Sequence, residues 1–501
     1  MNIVENRAYT VVAKKSFLRS LFTVSGISII VLIVGFIRQI IIARQFGTSQ
    51  EMDIYYIAYA TTTILVVTPG ALFEHVAVPK LKQHMEEYGM EKFYDYAIGI
   101  FILSIITSVV LVALYALLSP LLATVMTSGF SEEQTKELSV FVYWFVPWLI
   151  VYPIFNALTS ILKSMGKFLS STFAEVVYMF SSLVVIYLFA SSQVEIIPIS
   201  QFIGYSLAIA FLLVVFVKSS RRLWLKSFKL ADYRQVIKNA LLLLTSHPIK
   251  TMGSVIERNF QSNLPVGGIS AIGYASQLTN SISAVLNFKQ IYVVPLSKIE
   301  GREEKFHRLL VGLFYLTIPI ALVNYVLAND IIAFVYGGGS FNAESVSKTS
   351  VAYAVLSFSI ISSAVNVPVL RMYQIVDIVH KTILINILAI ISIAVQLYLF
   401  VSYFDLGLYG YALAITTNSF LMLCINMAIL TSSSSTKIHY VKLLWDLLPL
   451  MALMVASNYA YTIVESTFEF LLIYQKLFAW FMFVLVSYLV LFKKIKIVLG
   501  K

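Results

Sequence analysis

Length, composition and charge exclude an ordinary water-soluble protein. Of 501 residues, 59% are hydrophobic and only 12% are charged, whereas about a quarter of the residues in a typical soluble domain are charged. The net charge of +11 resembles that of nucleic-acid-binding proteins, but the basic residues lie between long apolar blocks, so we expect no nucleic-acid partner.

In chain order, the apolar residues form blocks of about 20 residues, the helical length that crosses the hydrocarbon core of a bilayer. We therefore predict an all-α polytopic membrane protein with about fourteen transmembrane helices and no soluble domain. The predicted spans are 20–43, 53–78, 95–118, 139–161, 169–190, 197–217, 239–260, 269–296, 309–328, 346–370, 382–402, 407–430, 443–464 and 470–492.

Most of the 36 Lys and Arg residues fall in loops on one side of this arrangement. Because basic loops favour the cytoplasmic side, we predict a multi-pass membrane protein with both termini in the cytoplasm. The longest loop, 218–238, is basic as well, which is typical of an orientation signal that attracts anionic lipid.

The spans divide naturally into six, six and two, and many transporters are built from such internal repeats. We predict an N-terminal lobe over 1–218, a basic cytoplasmic loop over 219–238 and a C-terminal lobe over 239–436. A terminal helix pair with a basic tail is predicted over 437–501.

The short loops leave no room for a soluble catalytic or nucleotide-binding domain. Gly166-Lys167 lacks the earlier glycine that a phosphate-binding loop requires, and no His, Cys and carboxylate cluster has metal-ligand spacing. We expect no enzymatic activity, no cofactor and no metal. Energy is expected from an ion gradient, the membrane potential or the substrate itself.

Two neighbouring spans carry polar residues at intervals of three and four, which places them along one face of each helix. In span seven these are His247, Lys250, Ser254, Glu257 and Gln261, and in span eight they are Gly273, Ser276, Asn280, Ser283, Asn287 and Gln290. Because a charge at the bilayer centre costs about 2.5 kcal/mol or more, Lys250 should face protein or water. We predict a shared hydrated cavity; the alternative is a closed helix interface in which Lys250 pairs with Glu257 or a neighbouring acid.

Charged residues also occur in the first two spans. Arg38 lies within span one, and its guanidinium is suited to phosphate because it binds such anions through paired hydrogen bonds. The alternative is an ion pair with Asp53 or another acid that locks two helices together. Asp53 and Glu74, near the two ends of span two, are candidates for coupling or gating. Lys289 is a further intramembrane cation that snorkelling explains about as well. Tyr55, Tyr56 and Tyr59 are interpreted as part of an interfacial aromatic belt; the alternative is that they stack on sugar rings.

Several motifs resemble the MurJ/MviN lipid flippases, a family of the MOP superfamily that also contains polysaccharide-lipid flippases and MATE exporters. They are Gly35-Phe36-Ile37-Arg38-Gln39, Ala43-Arg44-Gln45-Phe46-Gly47, Val78-Pro79-Lys80-Leu81, Tyr274-Ala275, Val294-Pro295-Leu296-Ser297-Lys298 and Tyr336-Gly337. The resemblance covers roughly 20–430 in order. It implies two six-helix lobes around a central cavity lined by helices one, two, seven and eight, with the final pair forming a groove for a polyprenyl tail. It also implies a location in the bacterial cytoplasmic (inner) membrane.

The chain departs from the family at several cavity positions. The lipid II flippases have several arginines in the cavity. Their positions correspond in this chain to residues near Val31, near Leu65 or Val66, and near Gln277, and the position of an acid expected in helix two corresponds to a residue near Pro69. The resemblance therefore implies a relative serving another lipid-linked saccharide, of a capsule, exopolysaccharide or O-antigen-like pathway. Peptidoglycan-precursor export is the other reading. His247, Lys250 or Lys289 would then supply the missing positive charge.

We expect transport by alternating access, in which the lobes rock around a diphosphate and sugar headgroup while the lipid tail stays in the bilayer. The predicted substrate-binding residues are Arg38, His247, Lys250, Glu257, Gln277, Asn280, Asn287, Lys289 and Gln290. Expected partners are the lipid-linked saccharide diphosphate, membrane lipids, and glycosyltransferases or a polymerase of the same pathway. The main alternative, an ion-coupled MATE-like exporter of small cationic molecules, calls for acids rather than bases in the cavity.

Overall fold

The structure is a computed structural model that describes residues 26–189, 193–220, 228–245, 248–286, 301–433 and 438–452. It describes the backbone alone for 65–74, 243–245 and 248–250. Every helix or strand assigned in these ranges is a helix, so the all-α prediction is confirmed.

The first half of the chain forms nine helices within the described ranges. These are α1 (Gly26–Phe46), α2 (Gln50–Leu72), α3 (Val78–Met126), α4 (Glu132–Phe141), α5 (Val146–Ser164), α6 (Phe168–Leu188), α7 (Ile196–Ser220), α8 (Arg234–Thr245) and α9 (Pro248–Gln261). A π-helical turn, Phe73–Ala77, joins α2 to α3, and short 3-10 helices, Val142–Phe145 and Leu230–Tyr233, precede α5 and α8.

The second half continues with seven named helices. These are α10 (Gly268–Leu286), α11 (Arg302–Val326), α12 (Ala328–Tyr336), α13 (Ala343–Ser357), α14 (Ser359–Ile375), α15 (Thr382–Leu397) and α16 (Gly407–Ser433). A 3-10 helix, Val379–Lys381, precedes α15 and a π-helical segment, Tyr398–Tyr403, follows it. Residues 440–452 are helical as well.

Local sequence explains several helix starts. The Ser131 hydroxyl accepts a hydrogen bond from the backbone N–H of Gln134 at 3.2 Å, and the Gln134 side chain accepts one from the N–H of Ser131 at 2.9 Å. This reciprocal pair satisfies two N–H groups that the first turn of α4 leaves open. Asn342 caps α13 in a similar way, by accepting from the N–H of Ser345 at 2.9 Å.

Nine helical segments in the described part of the chain are long and apolar enough to cross a membrane. They are Gly26–Phe46, His75–Met126, Glu132–Ser164, Phe168–Leu188, Ile196–Ser220, Arg302–Val326, Ala343–Ile375, Val379–Tyr403 and Gly407–Ser433. These segments contain all or most of each of predicted spans one, three to six, and nine to twelve. Predicted spans two, seven and eight are helical over α2, over α8 with α9, and over α10.

The last two predicted spans are covered least. Span thirteen is described up to residue 452, and span fourteen lies outside the described residues. The chain is a polytopic all-α membrane protein, and its count of fourteen helices stays a prediction.

The described helices form two compact units, which divide between Asn263 and Leu264. Helix α9 packs on α2 and α3 in the first unit. Its end is tied to the loop after α3, because Asn259 Nδ2 donates to the carbonyl of Val125 at 2.7 Å and to Ser128 Oγ at 2.8 Å. The predicted lobe boundaries at 218 and 239 stay predictions.

The second unit has a core built from α11, α14, α16 and the helix at 440–452. Phe306, Val369, Leu430 and Leu447 are among its buried side chains. Burying each such side chain contributes about 1.5 to 3 kcal/mol where water is the alternative, so the start of predicted span thirteen is held by apolar packing.

Candidate functional site

Arg38 of α1 lies inside the first unit with 8% of its surface exposed. Its Nε donates to Ser182 Oγ on α6 at 2.9 Å, and that oxygen lies 2.9 Å from Ser200 Oγ on α7. Its Nη2 is buried without a hydrogen-bonding partner among the described residues. A buried cation is costly unless it is paired and hydrogen-bonded, and this unpaired donor makes Arg38 a candidate binding residue for an anion.

Aromatic rings line this part of the first unit. Tyr59 stacks on Trp148 with ring centroids 5.9 Å apart and planes 4° from parallel. Tyr55 is buried and stacks on Phe145 at 5.9 Å, and both tyrosines lie within electrostatic range of Arg38. The interpretation of Tyr55 as part of an interfacial belt is therefore wrong, because this face of α2 packs on α5.

The two candidates for coupling or gating lie at opposite ends of α2. Asp53 is buried in the first turn, where its N–H donates to the Ser49 carbonyl at 3.1 Å. The contact that the structure shows for Arg38 Nε is with the Ser182 hydroxyl on α6. Glu74 lies in the Phe73–Ala77 turn, and its side chain falls outside the description.

The polar stripe of predicted span seven is described in part. His247 lies outside the described residues, and Lys250 is described as backbone in the first turn of α9. Glu257 lies farther along α9 and is partly exposed within the first unit. The two alternatives for Lys250, a hydrated cavity and a pair with Glu257, both stay open.

Helix α10 has two contrasting faces within the second unit. Tyr274 and Leu278 are buried where α10 packs on α13 and α14. Gln277 and Asn280 lie on the other side and are exposed. The large exposed residues of α15 are apolar, Ile383 among them, as expected for a face in contact with lipid. An exposed amide pair on α10 instead suits water or a polar ligand.

Three predicted binding residues, Asn287, Lys289 and Gln290, follow α10 and lie outside the described residues. The part of the chain that the structure describes has no group of three or more His, Cys, Asp and Glu able to hold a metal ion. The substrate-binding assignments therefore stay predictions, with Arg38, Gln277 and Asn280 as the best-described members.

Sequence reasoning missed Ser182 and Ser200, whose hydroxyl groups continue the hydrogen-bonded chain that begins at Arg38. Hydroxyl residues inside apolar helices commonly bond to the backbone of their own helix, as Ser200 also does through the Ile197 carbonyl at 2.7 Å. Residue type and spacing therefore carry no signal for this pair. The packing of α6 on α7 brings Ser200 to Ser182, and Ser182 in turn accepts from Arg38 of α1.

Comparison with known proteins gives consistent matches. The family model described as "Lipid II flippase MurJ" matches residues 42–489. The chain is 26% identical over 372 residues to the lipid II flippase MurJ of Burkholderia cenocepacia, which covers 68% of this chain and 70% of that relative. It is 24% identical over 382 residues to a probable lipid II flippase MurJ of Rhizobium tropici, and this match covers 69% of this chain and 68% of that relative.

Solved structures show the same fold. A lipid II flippase MurJ in an inward closed conformation matches with a TM-score of 0.78 and 16% identity over 95% of this chain and 99% of that one. An inward-facing MATE family multidrug transporter of the MOP superfamily matches with a TM-score of 0.56 and 14% identity, over 80% of this chain and 96% of that one. These two likenesses concern the fold alone.

Proposed function

The chain belongs to the MurJ family of lipid II flippases, as its motifs predicted, and on this premise we propose that it carries a lipid-linked saccharide diphosphate across the bacterial cytoplasmic membrane. Lipid II is the first candidate cargo because both curated relatives are named for it. A lipid-linked saccharide of a capsule, exopolysaccharide or O-antigen-like pathway is the second. Transport of either cargo makes the chain a flippase rather than an enzyme.

The observation that carries this proposal is the state of Arg38. Its guanidinium is buried, bonded to one hydroxyl through Nε and left with an open donor at Nη2. A diphosphate offers several acceptor oxygens with negative charge, and a guanidinium binds such oxygens in pairs. Water is scarce around a buried group, so the attraction is stronger there than at an exposed lysine.

The open face of α10 supports the saccharide half of the proposal. Gln277 and Asn280 are exposed, and each amide can donate and accept hydrogen bonds. Sugar hydroxyl and N-acetyl groups need both kinds of partner. Neutral amides therefore complement the charged guanidinium. Lys250, Lys289 and His247 are proposed as further cations and Glu257 as a further headgroup contact, with Asp53 and Glu74 as acids for coupling or gating.

The remaining parts of the proposal follow from charge distribution and family. We place both termini in the cytoplasm because the basic loops cluster on their side. Alternating access driven by an ion gradient or the membrane potential fits a chain built from two compact units. The enzymes that make or polymerise the saccharide are the proposed functional neighbours.

A MATE-like exporter of organic cations is the second candidate, and the fold likeness to a multidrug transporter favours it. Arg38 opposes it, because a buried guanidinium repels a cationic substrate. Drug susceptibility of a deletion strain separates the two. Raised susceptibility with normal lipid-linked precursor levels would support drug export instead.

The decisive experiment expresses the chain in a bacterium depleted of its own lipid II flippase. The intact chain should restore growth and prevent accumulation of lipid II, whereas Arg38→Ala and Lys250→Ala should each abolish or severely impair rescue at equal membrane levels. Arg44→Ala is the matched control, because Arg44 is exposed on the same helix.

Normal rescue by both variants would remove the proposed headgroup role. If the intact chain fails to rescue lipid II export, depletion in the native host identifies the cargo as whichever lipid-linked saccharide accumulates. Accumulation of none would contradict the function itself.

A further inference from the structure

A cavity of about 500 Å³ lies in the first unit between the start of α3 and the 3-10 helix Leu230–Tyr233. Its volume falls within the range of small-molecule sites, about 300 to 1,000 Å³. None of the residues proposed to bind the transported headgroup lines it. In the orientation proposed above, it opens to the cytoplasm.

Two glycines shape this cavity. Gly89 interrupts α3 with φ 78° and ψ 175°, a conformation that other residues rarely adopt. Across this kink the ring of His84, which precedes Gly89, stacks on Tyr96 with centroids 4.4 Å apart, and Tyr96 stacks on Tyr233 at 4.9 Å. At Gly99, a Cβ would lie 1.6 Å from the Tyr233 hydroxyl oxygen, so glycine is required for Tyr233 to approach α3.

The cavity is acidic at its inner wall. Asp95 lines it, and Asp95 Oδ1 is buried with no hydrogen-bonding partner among the described residues. Burial raises the pKa of the Tyr233 hydroxyl, and the neighbouring Tyr96, Asp232 and Asp95 raise it further. Carboxylates therefore make the electrostatic potential beside these rings negative.

The two lysines of the cavity are already engaged. Lys80 Nζ donates to Gln83 Oε1 at 3.0 Å, and Lys92 Nζ lies over the Tyr88 ring, 5.3 Å from its centroid. Burial lowers the pKa of His84; Glu87 partly opposes this shift and Lys92 adds to it. Asp95 Oδ1, a carboxylate oxygen without a hydrogen-bonding partner among the described residues, is left beside the stacked rings to receive a ligand.

We propose that this cavity binds a guanidinium group, held by Asp95 and Asp232 and stacked on Tyr88. A planar cation gains from the ring faces by cation–π attraction and from the carboxylates by paired, charge-assisted hydrogen bonds. The group belongs either to a small molecule or to an arginine side chain of a cytoplasmic protein. The site would make the transporter responsive to a cytoplasmic ligand, separate from its cargo.

The test uses the full chain in lipid nanodiscs and ligand-observed saturation-transfer NMR. N-acetyl-arginine amide should give a saturable signal, and N-acetyl-citrulline amide, its uncharged isostere, should not. Asp95→Asn should weaken arginine amide binding about tenfold or more, since it removes a charge-assisted hydrogen bond. Tyr88→Leu should weaken it too, and because Tyr88 is 53% exposed this change does not disturb the core.

Glu86→Gln is the matched control, because Glu86 is exposed on the same helical stretch and does not line the cavity. Agmatine and an arginine-containing peptide distinguish the sources: equal affinity supports a small ligand, and at least tenfold tighter peptide binding supports a protein partner. Equal binding of the citrulline and arginine amides, or unchanged binding in Asp95→Asn, would overturn the proposal. The readout is binding alone, so it is independent of flippase activity.

Discussion

Two regions of the molecule carry polar side chains in opposite environments: the surroundings of Arg38 in the first unit are buried, and the face of α10 that carries Gln277 and Asn280 in the second unit is exposed. Arg38 is a full charge, buried and bonded to Ser182. Gln277 and Asn280 are neutral and exposed. A buried charge is costly and is retained where something must be paired with it, whereas exposed amides cost little and adapt to many partners.

This difference suggests that the first unit binds the diphosphate of the proposed cargo and the second unit binds its saccharide. A diphosphate has fixed charge and a compact shape, which suits one rigid cation. A saccharide presents many weak donors and acceptors, which suits a row of amides. The following predictions test whether charge in one unit and neutral polarity in the other act separately.

After the loss expected from Arg38→Ala and Lys250→Ala, the next largest effect is expected from removing both amides of α10. Gln277→Ala combined with Asn280→Ala should lower export about tenfold or more, because each lost hydrogen bond is worth about 0.5 to 1.5 kcal/mol. Flipping of the fluorescently labelled lipid-linked saccharide in proteoliposomes measures this change. The control is Ser281→Ala, since the Ser281 hydroxyl already donates to the Gln277 carbonyl at 2.8 Å. Full activity of the double variant would restrict headgroup recognition to the charged region.

A smaller effect is expected from Ser182→Ala, which leaves Arg38 Nε without its acceptor. Ser182 acts as a positioning residue, so we expect a severalfold rise in KM with little change in kcat, and recovery in Ser182→Thr, which keeps the hydroxyl. Ser206→Ala on α7 is the control, because that hydroxyl bonds its own helix at the Phe202 carbonyl, 2.7 Å away. An equal loss in the Thr variant would indicate a packing role instead.

The smallest effect is expected from changing Glu304, which forms exposed ion pairs in the second unit. Glu304 accepts from Arg308 at 3.0 Å and from Lys442 at 3.2 Å, and all three side chains are more than a third exposed. Exposed ion pairs contribute at most about 1 kcal/mol. Glu304→Gln should therefore lower the free energy of unfolding by less than this and leave export unchanged. Loss of export would contradict the view that charge matters mainly around Arg38.

The same pair predicts a pH dependence. Hydrogen bonds from Arg308 and then Lys442 lower the pKa of Glu304, so its folded value lies below the unfolded one, about 4.3. The stabilisation is present above that unfolded value and is lost as the pH falls through the folded one. The difference in thermal unfolding between the natural chain and Glu304→Gln should hence disappear in acid. A difference that grows with acidity would have the wrong sign.

Sequence reasoning worked best for helix positions and worst for side-chain neighbours. Predicted span five, 169–190, is α6 at Phe168–Leu188, and predicted span six, 197–217, is α7 at Ile196–Ser220. The prediction for Tyr55 failed because its face of α2 meets other helices instead of lipid. Periodicity does define that face, but it does not say what the face contacts.

The apolar blocks alone determined that this chain is helical and spans a membrane, because a backbone inside a bilayer must satisfy its hydrogen bonds within its own segment. The motifs around Arg38 likewise pointed to the family. Only the tertiary structure decided that Arg38 meets Ser182, 144 residues away in the chain, and that Gly89 and Gly99 bring Tyr96 and Tyr233 together around a cavity. Such contacts depend on which helices pack together, and this choice is made by long-range shape and burial that no local pattern contains.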